Sequence, residues 1–302
     1  MKSFKLFIVA AFAVFACAGY AQAQNTSTVG QIKAFIVTGD VQVTDSSGKT
    51  APLSRGDLVT VGSTIKTGAD GIVLLVFSNG SAMQIKADSK VSVTRYDQAA
   101  FDEQNGDNTF LRLSKDPSKS TTEMNIAKGT MAGQVKSLNL DQGSKFTVDT
   151  PAGSAGIRGT IPTFTVNTDP VTGLPTSVTI GCSQGQVTFT PAQVAGIPLA
   201  LQGGTVNISE GGQVVVNIQT STSANGQVQV TSISVAGTTY SGADAQAVIN
   251  NLYTAINEVL VSQGLPLETP PTAALPSTPT NQGGPTTPTG NQKVPTNPTV
   301  ST

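Results

Sequence analysis

Hydrophobic and polar positions alternate along most of the chain, in short runs that are separated by turn residues. Val41 and Val43 alternate with polar neighbours, as expected for a strand with one buried face. Residues 72–77 are continuously apolar, which predicts a strand buried on both faces. Asn79-Gly80 follows this run and predicts a tight hairpin turn. The pattern predicts a mainly β body of many short strands, with solenoid-like or sandwich packing.

Further short strands are predicted at residues 110–113, near Ile126 and at residues 131–135, and similar runs continue towards residue 235. They fall into two parts, residues 31–166 and residues 167–240. The second part is either an extension of the first sheet or a second subdomain, and the hydrophobic pattern leaves both possibilities open.

One helix is predicted near the C-terminus, over residues 241–264. Val248, Leu252 and Ile256 lie on one face at helical spacing, and Gly264 ends the pattern. The polar face contains no Lys or Arg, so we expect this amphipathic helix to pack on the β body and not on a membrane. The remaining chain is dominated by Pro, Thr, Asn, Gln and Gly, which predicts a disordered tail over residues 265–302.

The N-terminus has the pattern of a secretory signal peptide over residues 1–23. Lys2 and Lys5 precede an apolar run that is too short for a stable membrane span, and a small-x-small cleavage site ends at Ala23. Cleavage there predicts a periplasmic or secreted protein with no membrane span. Loss of two lysines changes the net charge from −1 to −3. The alternative is lipid attachment at Cys17, within a loose lipoprotein box.

The composition excludes several classes of function. Histidine is absent, which removes Ser-His-Asp and Cys-His catalysis and His-ligated zinc. A net charge of −1 without a basic stripe argues against nucleic acid as a partner. The acidic loop at residues 97–108 lacks the ligand spacing of an EF-hand, and neither a metal nor a cofactor is expected. After cleavage Cys182 has no disulfide partner and is expected to be a small buried hydrophobe.

Two sets of motifs, in order and spacing, resemble the FecR domain family between Gly39 and Val166. The first set is Leu-Ser-Arg-Gly-Asp-Leu at 53–58, Gly-Ser-Thr-Ile-Lys-Thr-Gly at 62–68 and Ser-Asn-Gly-Ser at 78–81; the second is Phe-Thr-Val-Asp-Thr-Pro at 146–151 and Ala-Gly-Ile-Arg-Gly-Thr at 155–160, with Gly-Thr-Met-Ala-Gly at 129–133 between them.

The resemblance implies a relay in the family's best-known members: a cytoplasmic segment holds a sigma factor, a helix crosses the membrane, and the FecR-like part senses a receptor outside. We expect the apolar N-terminal run here to be a cleavable signal, with no sigma-binding segment before it. We therefore expect the extracytoplasmic FecR-like module without the anti-sigma segment.

The second motif supplies the candidate site. Arg158 is the one charged residue among mostly small neighbours, and Gly159 and Thr160 follow it. Its guanidinium either bonds backbone carbonyls and pins the turn, or presents a fork of donors to a partner carboxylate. Arg158, Gly159 and Thr160 are thus candidates for partner binding or for fold pinning.

Three classes of function follow. The leading hypothesis is an exported, non-enzymatic interaction or scaffold module that contacts an envelope or receptor protein, or cell-wall material. The alternative is an extracytoplasmic sensor component that signals through a separate membrane protein. A hydrolase with paired carboxylates is the third, and its candidate acids, which are expected to cap turns instead, are Asp40, Asp57, Asp70 and Asp149.

Overall fold

The computed structural model describes residues 30–101, 110–192, 205–222, 228–239, 242–273 and 280–282. The described chain is mainly β with one α-helix near the C-terminus, as the sequence predicts. The predicted signal peptide, Cys17, most of the acidic loop and residues 283–302 of the tail lie outside the described residues.

The described strands form one 15-stranded sheet. Neighbouring strands are antiparallel, except that β8 and β9 are parallel. A short 3-10 helix lies at Leu140–Gln142, and the α-helix, α1, is Gly242–Ser262. The strands are β1 (Ile32–Thr38), β2 (Val41–Thr44), β3 (Thr50–Pro52), β4 (Thr64–Thr67), β5 (Ile72–Phe77), β6 (Ala82–Ile85), β7 (Lys90–Gln98), β8 (Ser120–Gln134), β9 (Lys145–Thr150), β10 (Gly153–Thr168), β11 (Pro175–Pro191), β12 (Thr205–Ser209), β13 (Gly212–Thr222), β14 (Val228–Thr239) and β15 (Thr280–Gln282).

The sheet folds over on itself into two layers. The first layer has the order β1-β5-β6-β8-β10-β11-β13-β14, and the second has the order β3-β2-β4-β7-β8-β9-β10-β11-β12-β15. Strands β8, β10 and β11 belong to both layers because each is long and bends part-way. The sheet therefore runs without a break across residue 167.

Each of these three strands bends at a glycine with positive φ. These are Gly129 in β8 (φ 90°), Gly159 in β10 (φ 56°) and Gly185 in β11 (φ 83°). Strand partners change there: β8 pairs with β7 before Gly129 and with β6 after it. Only glycine adopts this backbone conformation without strain. The bends of β10 and β11 lie together, whereas antiparallel pairing places the bend of β8 at the opposite end of the layers.

The inner faces of the two layers share one hydrophobic core. Phe77 of β5, in the first layer, meets two aromatic rings of the second layer edge to face. Its ring centroid lies 5.3 Å from that of Tyr96 and 5.9 Å from that of Phe146. Because the layers touch in this way, the packing resembles the sandwich among the two predicted arrangements.

Strand β5 is buried on both faces, as its continuous apolar run predicts. Val73, Leu75 and Phe77 belong to the core between the layers. Leu74 and Val76 belong to a second cluster on the outer side of the first layer, which α1 covers. The helix therefore packs on the β body, as its amphipathic pattern predicts. Within the described chain, no helix combines the length and hydropathy of a membrane span.

Residues 110–113 and the start of the tail differ from the expectation. Residues 110–113 form a turn and not a strand, and Phe110 has a φ of 58°. The apolar pattern arises because Leu111 is buried against the cluster under α1. The predicted disordered tail starts at residue 265, but residues 265–273 lie along the helix.

Two amides of α1 fix this first part of the tail. Asn257 Nδ2 donates to the Glu268 carbonyl (2.9 Å), and the Glu268 N–H donates to Asn257 Oδ1 (2.8 Å). The Ala273 N–H donates to Gln246 Oε1 (2.7 Å). These bonds satisfy backbone groups that a Pro- and Thr-rich segment would otherwise leave to water.

Candidate functional site

The three candidate residues lie at the bend of β10. Arg158 is the last residue before the bend and pairs with Gln186 of β11. Gly159 makes the bend, and the Thr160 carbonyl accepts a hydrogen bond from the Val135 N–H (2.9 Å). We call this end of the sheet, formed by the bends of β10 and β11 and by residues 134–140 beside them, the Arg158 rim.

The Arg158 side chain is exposed, and it makes no hydrogen bond or ion pair with any residue in the described part of the chain. Its guanidinium carries five N–H donors in a planar fork. The donors are directed to solvent or to a bound group, and the choice between partner binding and fold pinning stays a prediction.

A hollow of about 600 Å³ opens at the Arg158 rim. Arg158, Lys136 and Glu210 line it. The Lys136 side chain is only 11% exposed, and its Nζ lies 3.9 Å from Glu268 Oε1. Burial lowers the pKa of Lys136, although the charge of Glu268 opposes this shift. The Glu210 carboxylate accepts a hydrogen bond from the Gly185 N–H (3.2 Å), so it helps to hold the bend of β11.

Two buried polar atoms on residues that line this hollow have no hydrogen-bond partner among the described residues. They are Thr160 Oγ1 and Gln134 Oε1. The Gln134 amide is fixed from its other end, because Nε2 donates to the Tyr253 hydroxyl (2.7 Å). A buried polar atom without a partner costs about 1–3 kcal/mol. The fold therefore carries the cost of two unsatisfied polar atoms next to the rim.

A second hollow, of about 540 Å³, adjoins the first and shares Arg158, Leu138 and Leu140 with it. Gly156 lines this hollow, and the nearest atom to the position that a Cβ on Gly156 would take is 3.8 Å away. Leu140 is 50% exposed. Arg158 thus stands between two adjoining hollows with apolar side chains beside it, an arrangement that suits a protein surface with a carboxylate next to an apolar group.

The four candidate catalytic acids are held in turns and hairpins. The Asp40 N–H donates to Asp70 Oδ1 (3.1 Å), so these two residues lie together. The Ser54 N–H donates to Asp57 Oδ2 (2.8 Å). The carboxylate of Asp149 accepts a hydrogen bond from the Ser154 hydroxyl, across the hairpin of β9 and β10.

Neither a metal site nor a reactive thiol is visible in the described residues. They contain no group of three or more His, Cys, Asp or Glu residues that could hold a metal ion. Cys182 is a free cysteine buried in the core, as the sequence predicts. Burial, with a smaller effect from the charge of Glu210, raises the pKa of the Cys182 thiol to about 12.

Sequence reasoning finds Arg158 but misses Gln134, Lys136 and Glu210. These residues come from the end of β8 and from the turn before β13, far from Arg158 in sequence. A repeated Gly-Gln-Val pattern at 185–187 and 212–214 is the one signal that points to this region, and it carries no partner chemistry.

The family comparison decides what kind of domain this is. Residues 63–188 match the family model described as FecR protein. The chain therefore carries a FecR domain. The match runs from β4 into β11 and includes the three bends and Arg158. It confirms the resemblance to the FecR family and covers the motifs from residue 63 onward, but not the one at 53–58.

No curated protein matches this chain. Two crystal structures of provisionally assigned anti-sigma factors from Parabacteroides distasonis ATCC 8503 are similar to it. The first is 14% identical with a TM-score of 0.33, over 56% of this chain and 59% of that chain. The second is 10% identical with a TM-score of 0.35, over 70% of this chain and 97% of that chain. This chain thus spans less than two thirds of the first of these proteins.

Proposed function

We propose that this chain is an exported, non-enzymatic FecR-domain module that binds a partner protein in the cell envelope through the Arg158 rim. The observation that carries the proposal is the exposed Arg158 guanidinium, without a partner in the described chain, between two hollows of the FecR-matching segment. Export is supported by the signal-peptide pattern of residues 1–23.

The rim suits a partner surface of defined chemistry. Arg158 binds a carboxylate in bidentate fashion, and it is the exposed cation of the hollow, because Lys136 is buried and lies near Glu268. Leu138 and Leu140 give an apolar surface beside Arg158. A partner loop that places an Asp or Glu next to an apolar side chain fits both features.

A non-enzymatic role is supported by the use of the acids. Asp57, Asp70 and Asp149 accept hydrogen bonds from turn and hairpin groups. A carboxylate engaged in this way stabilises the fold and is a poor general acid or base.

The second candidate is a sensor component that signals through a separate membrane protein. The FecR match supports it, because the resemblance implies sensing of a receptor in the family's best-known members. This role requires one specific membrane or receptor partner, whereas a scaffold module is satisfied by several contacts or by wall material.

The test is crosslinking of the tagged chain in its native cells, followed by capture and mass spectrometry, for wild type, Arg158→Ala and Lys128→Ala. Lys128 is a matched control, because it is exposed and precedes the bend glycine of β8 as Arg158 precedes that of β10. We expect one dominant protein with wild type and Lys128→Ala, reduced at least about tenfold with Arg158→Ala, as for the loss of a charge-assisted pair.

The other outcomes separate the alternatives. A dominant membrane or receptor protein favours the sensor, and wall material or many weak contacts favour the scaffold. Arg158→Lys keeps the charge but not the fork. If Arg158→Lys lowers the thermal stability together with capture, Arg158 pins the fold and the binding proposal is wrong.

A further inference from the structure

Each layer of the sheet has two edges, and the outer edge of β1 is covered. The segment after β3 runs beside it and takes up its backbone groups. The Ala34 N–H donates to the Asp57 carbonyl (2.9 Å), and the Gly56 N–H donates to the Ala34 carbonyl (2.7 Å). The Val59 N–H donates to the Ile32 carbonyl (2.9 Å). A new strand therefore cannot pair there without displacing this segment.

The two edges of the second layer are protected as well. Strand β3 has three residues and ends with Pro52, which has no N–H for a ladder. At the other end β15 pairs with β12, and β15 itself has only three residues. Short strands, proline and covered edges are the devices by which proteins prevent unwanted edge pairing.

Strand β14 has none of these devices. It is 12 residues long and pairs with β13 on one side, and no described residue hydrogen-bonds to its other side. Its sequence, Val-Gln-Val-Thr-Ser-Ile-Ser-Val-Ala-Gly-Thr-Thr, contains no charged residue and no proline. A long, uncharged, unprotected edge is a template for pairing with another strand.

The strand is also held firmly in place. Ile233 is buried in the core and Val235 packs against it, while Ser234 and Ala236 are exposed on the opposite face. One-sided burial fixes the register of a strand, so β14 presents its free backbone groups in a constant position.

We propose that two copies of this chain form a dimer by antiparallel pairing of β14 with β14. A second copy has the same single unprotected edge in its described sheet. Its own β14 is therefore the strand available for pairing with β14 of the first copy. Antiparallel self-pairing uses the same residues on both chains and closes around a twofold axis, which prevents growth into a filament. The absence of charge on β14 means that no like charges meet across the axis.

The test is the mass of the purified full chain by light scattering, for wild type and for Ser232→Lys/Ser234→Lys. Both serines lie on the outer face of β14 near the middle of the strand, so four lysines lie close together when the twofold axis of the dimer passes near Ile233. We expect twice the mass of one chain for wild type and the mass of one chain for the variant. The control is Asn217→Lys/Gln219→Lys, on the same face of β13 one strand further in, which stays dimeric.

A charge rescue separates loss of pairing from loss of folding. Ser232→Glu/Ser234→Glu alone is expected to have the mass of one chain, and an equimolar mixture with the lysine variant is expected to regain the dimer mass. Circular dichroism confirms that each variant keeps its β spectrum. Wild type at the mass of one chain at every concentration, a lysine variant that remains dimeric, or folded variants that fail to rescue each other would each overturn the proposal.

Discussion

Two bends of the sheet have the same sequence pattern and different surroundings. Lys128-Gly129-Thr130 in β8 and Arg158-Gly159-Thr160 in β10 each consist of a cation, a glycine with positive φ and a threonine. At the first bend the Thr130 N–H donates to Ser89 Oγ (2.9 Å), and the hydroxyls of Thr130 and Thr165 are bonded to each other (3.2 Å). At the second bend Thr160 Oγ1 has no partner within the described residues.

The difference comes from neighbours and not from the motif. Ser89 fills the space beside Gly129, and its hydroxyl also donates to the Ala87 carbonyl (3.0 Å). Both bends adjoin a hollow, of about 450 Å³ at the first and about 600 Å³ at the second. The polar groups at the first bend are therefore satisfied within the fold, whereas the second bend leaves a buried threonine hydroxyl without a partner among the described residues.

The largest predicted difference is between Gly129→Ala and Gly159→Ala. A Cβ on Gly129 would lie 2.5 Å from the backbone Cα of Ser89, whereas a Cβ on Gly159 has its nearest neighbour at 3.5 Å. We expect Gly129→Ala to cost about 3–5 kcal/mol, from backbone strain and overpacking together, and Gly159→Ala about 1–2 kcal/mol from strain alone. Thermal unfolding measures the pair, and equal losses would contradict the comparison.

A smaller pair of changes is predicted to differ in sign. Ser89→Ala leaves the Thr130 N–H without its acceptor and is expected to cost about 1–2 kcal/mol. Thr160→Val removes a buried hydroxyl that has no partner while it keeps the side-chain shape, and is expected to stabilise by about 1 kcal/mol. Urea unfolding decides this. A destabilised Thr160→Val would mean that the hydroxyl is already bonded within the fold.

The third prediction tests whether the Arg158 rim is sealed towards the core. Cys182 lies beside the bend of β11, and burial raises its pKa from 9.0 to about 12. The thiol therefore stays protonated to a higher pH in the folded chain than in the unfolded chain. Stability from this group is complete below about pH 9 and falls as the pH rises towards about 12, by roughly 1 kcal/mol at pH 10.

The control for this prediction is Cys182→Ala, whose free energy of unfolding should lack this part of the decline between pH 8 and pH 10. A wild-type curve parallel to that of the alanine variant would show that water reaches the thiol from the hollow. Slow labelling of Cys182 by a thiol reagent in the native state would support the sealed core.

The sequence predicts the features that depend on local pattern. The apolar run of β5 predicts burial on both faces, and the stripe of α1 predicts its packed side. The sequence also predicts separate strands near Ile126 and at residues 131–135, but the structure has one 15-residue strand there, β8. A glycine inside a strand pattern marks a bulge or a bend, and nothing local shows that β8 continues beyond Gly129 with a new partner.

The candidate site likewise contains one residue that the sequence reveals and others that it does not. Arg158 is recognisable because it is the one charged residue among mostly small neighbours. Lys136 and Gln134 reach it only because β8 bends at Gly129 and returns in the first layer beside β10. The hollow is thus a product of long-range pairing, which hydrophobic period and composition do not encode.

The helix over β5 also orders events during synthesis. A chain that leaves the ribosome from its N-terminus completes β1 to β14 before α1 exists. Until then Leu74, Val76 and Ile161 have no cover on the outer side of the first layer. A chain truncated before α1 would leave this apolar surface exposed, and chaperones and proteases bind exposed apolar surface. A complete helix is therefore needed to bury the outer side of the first layer.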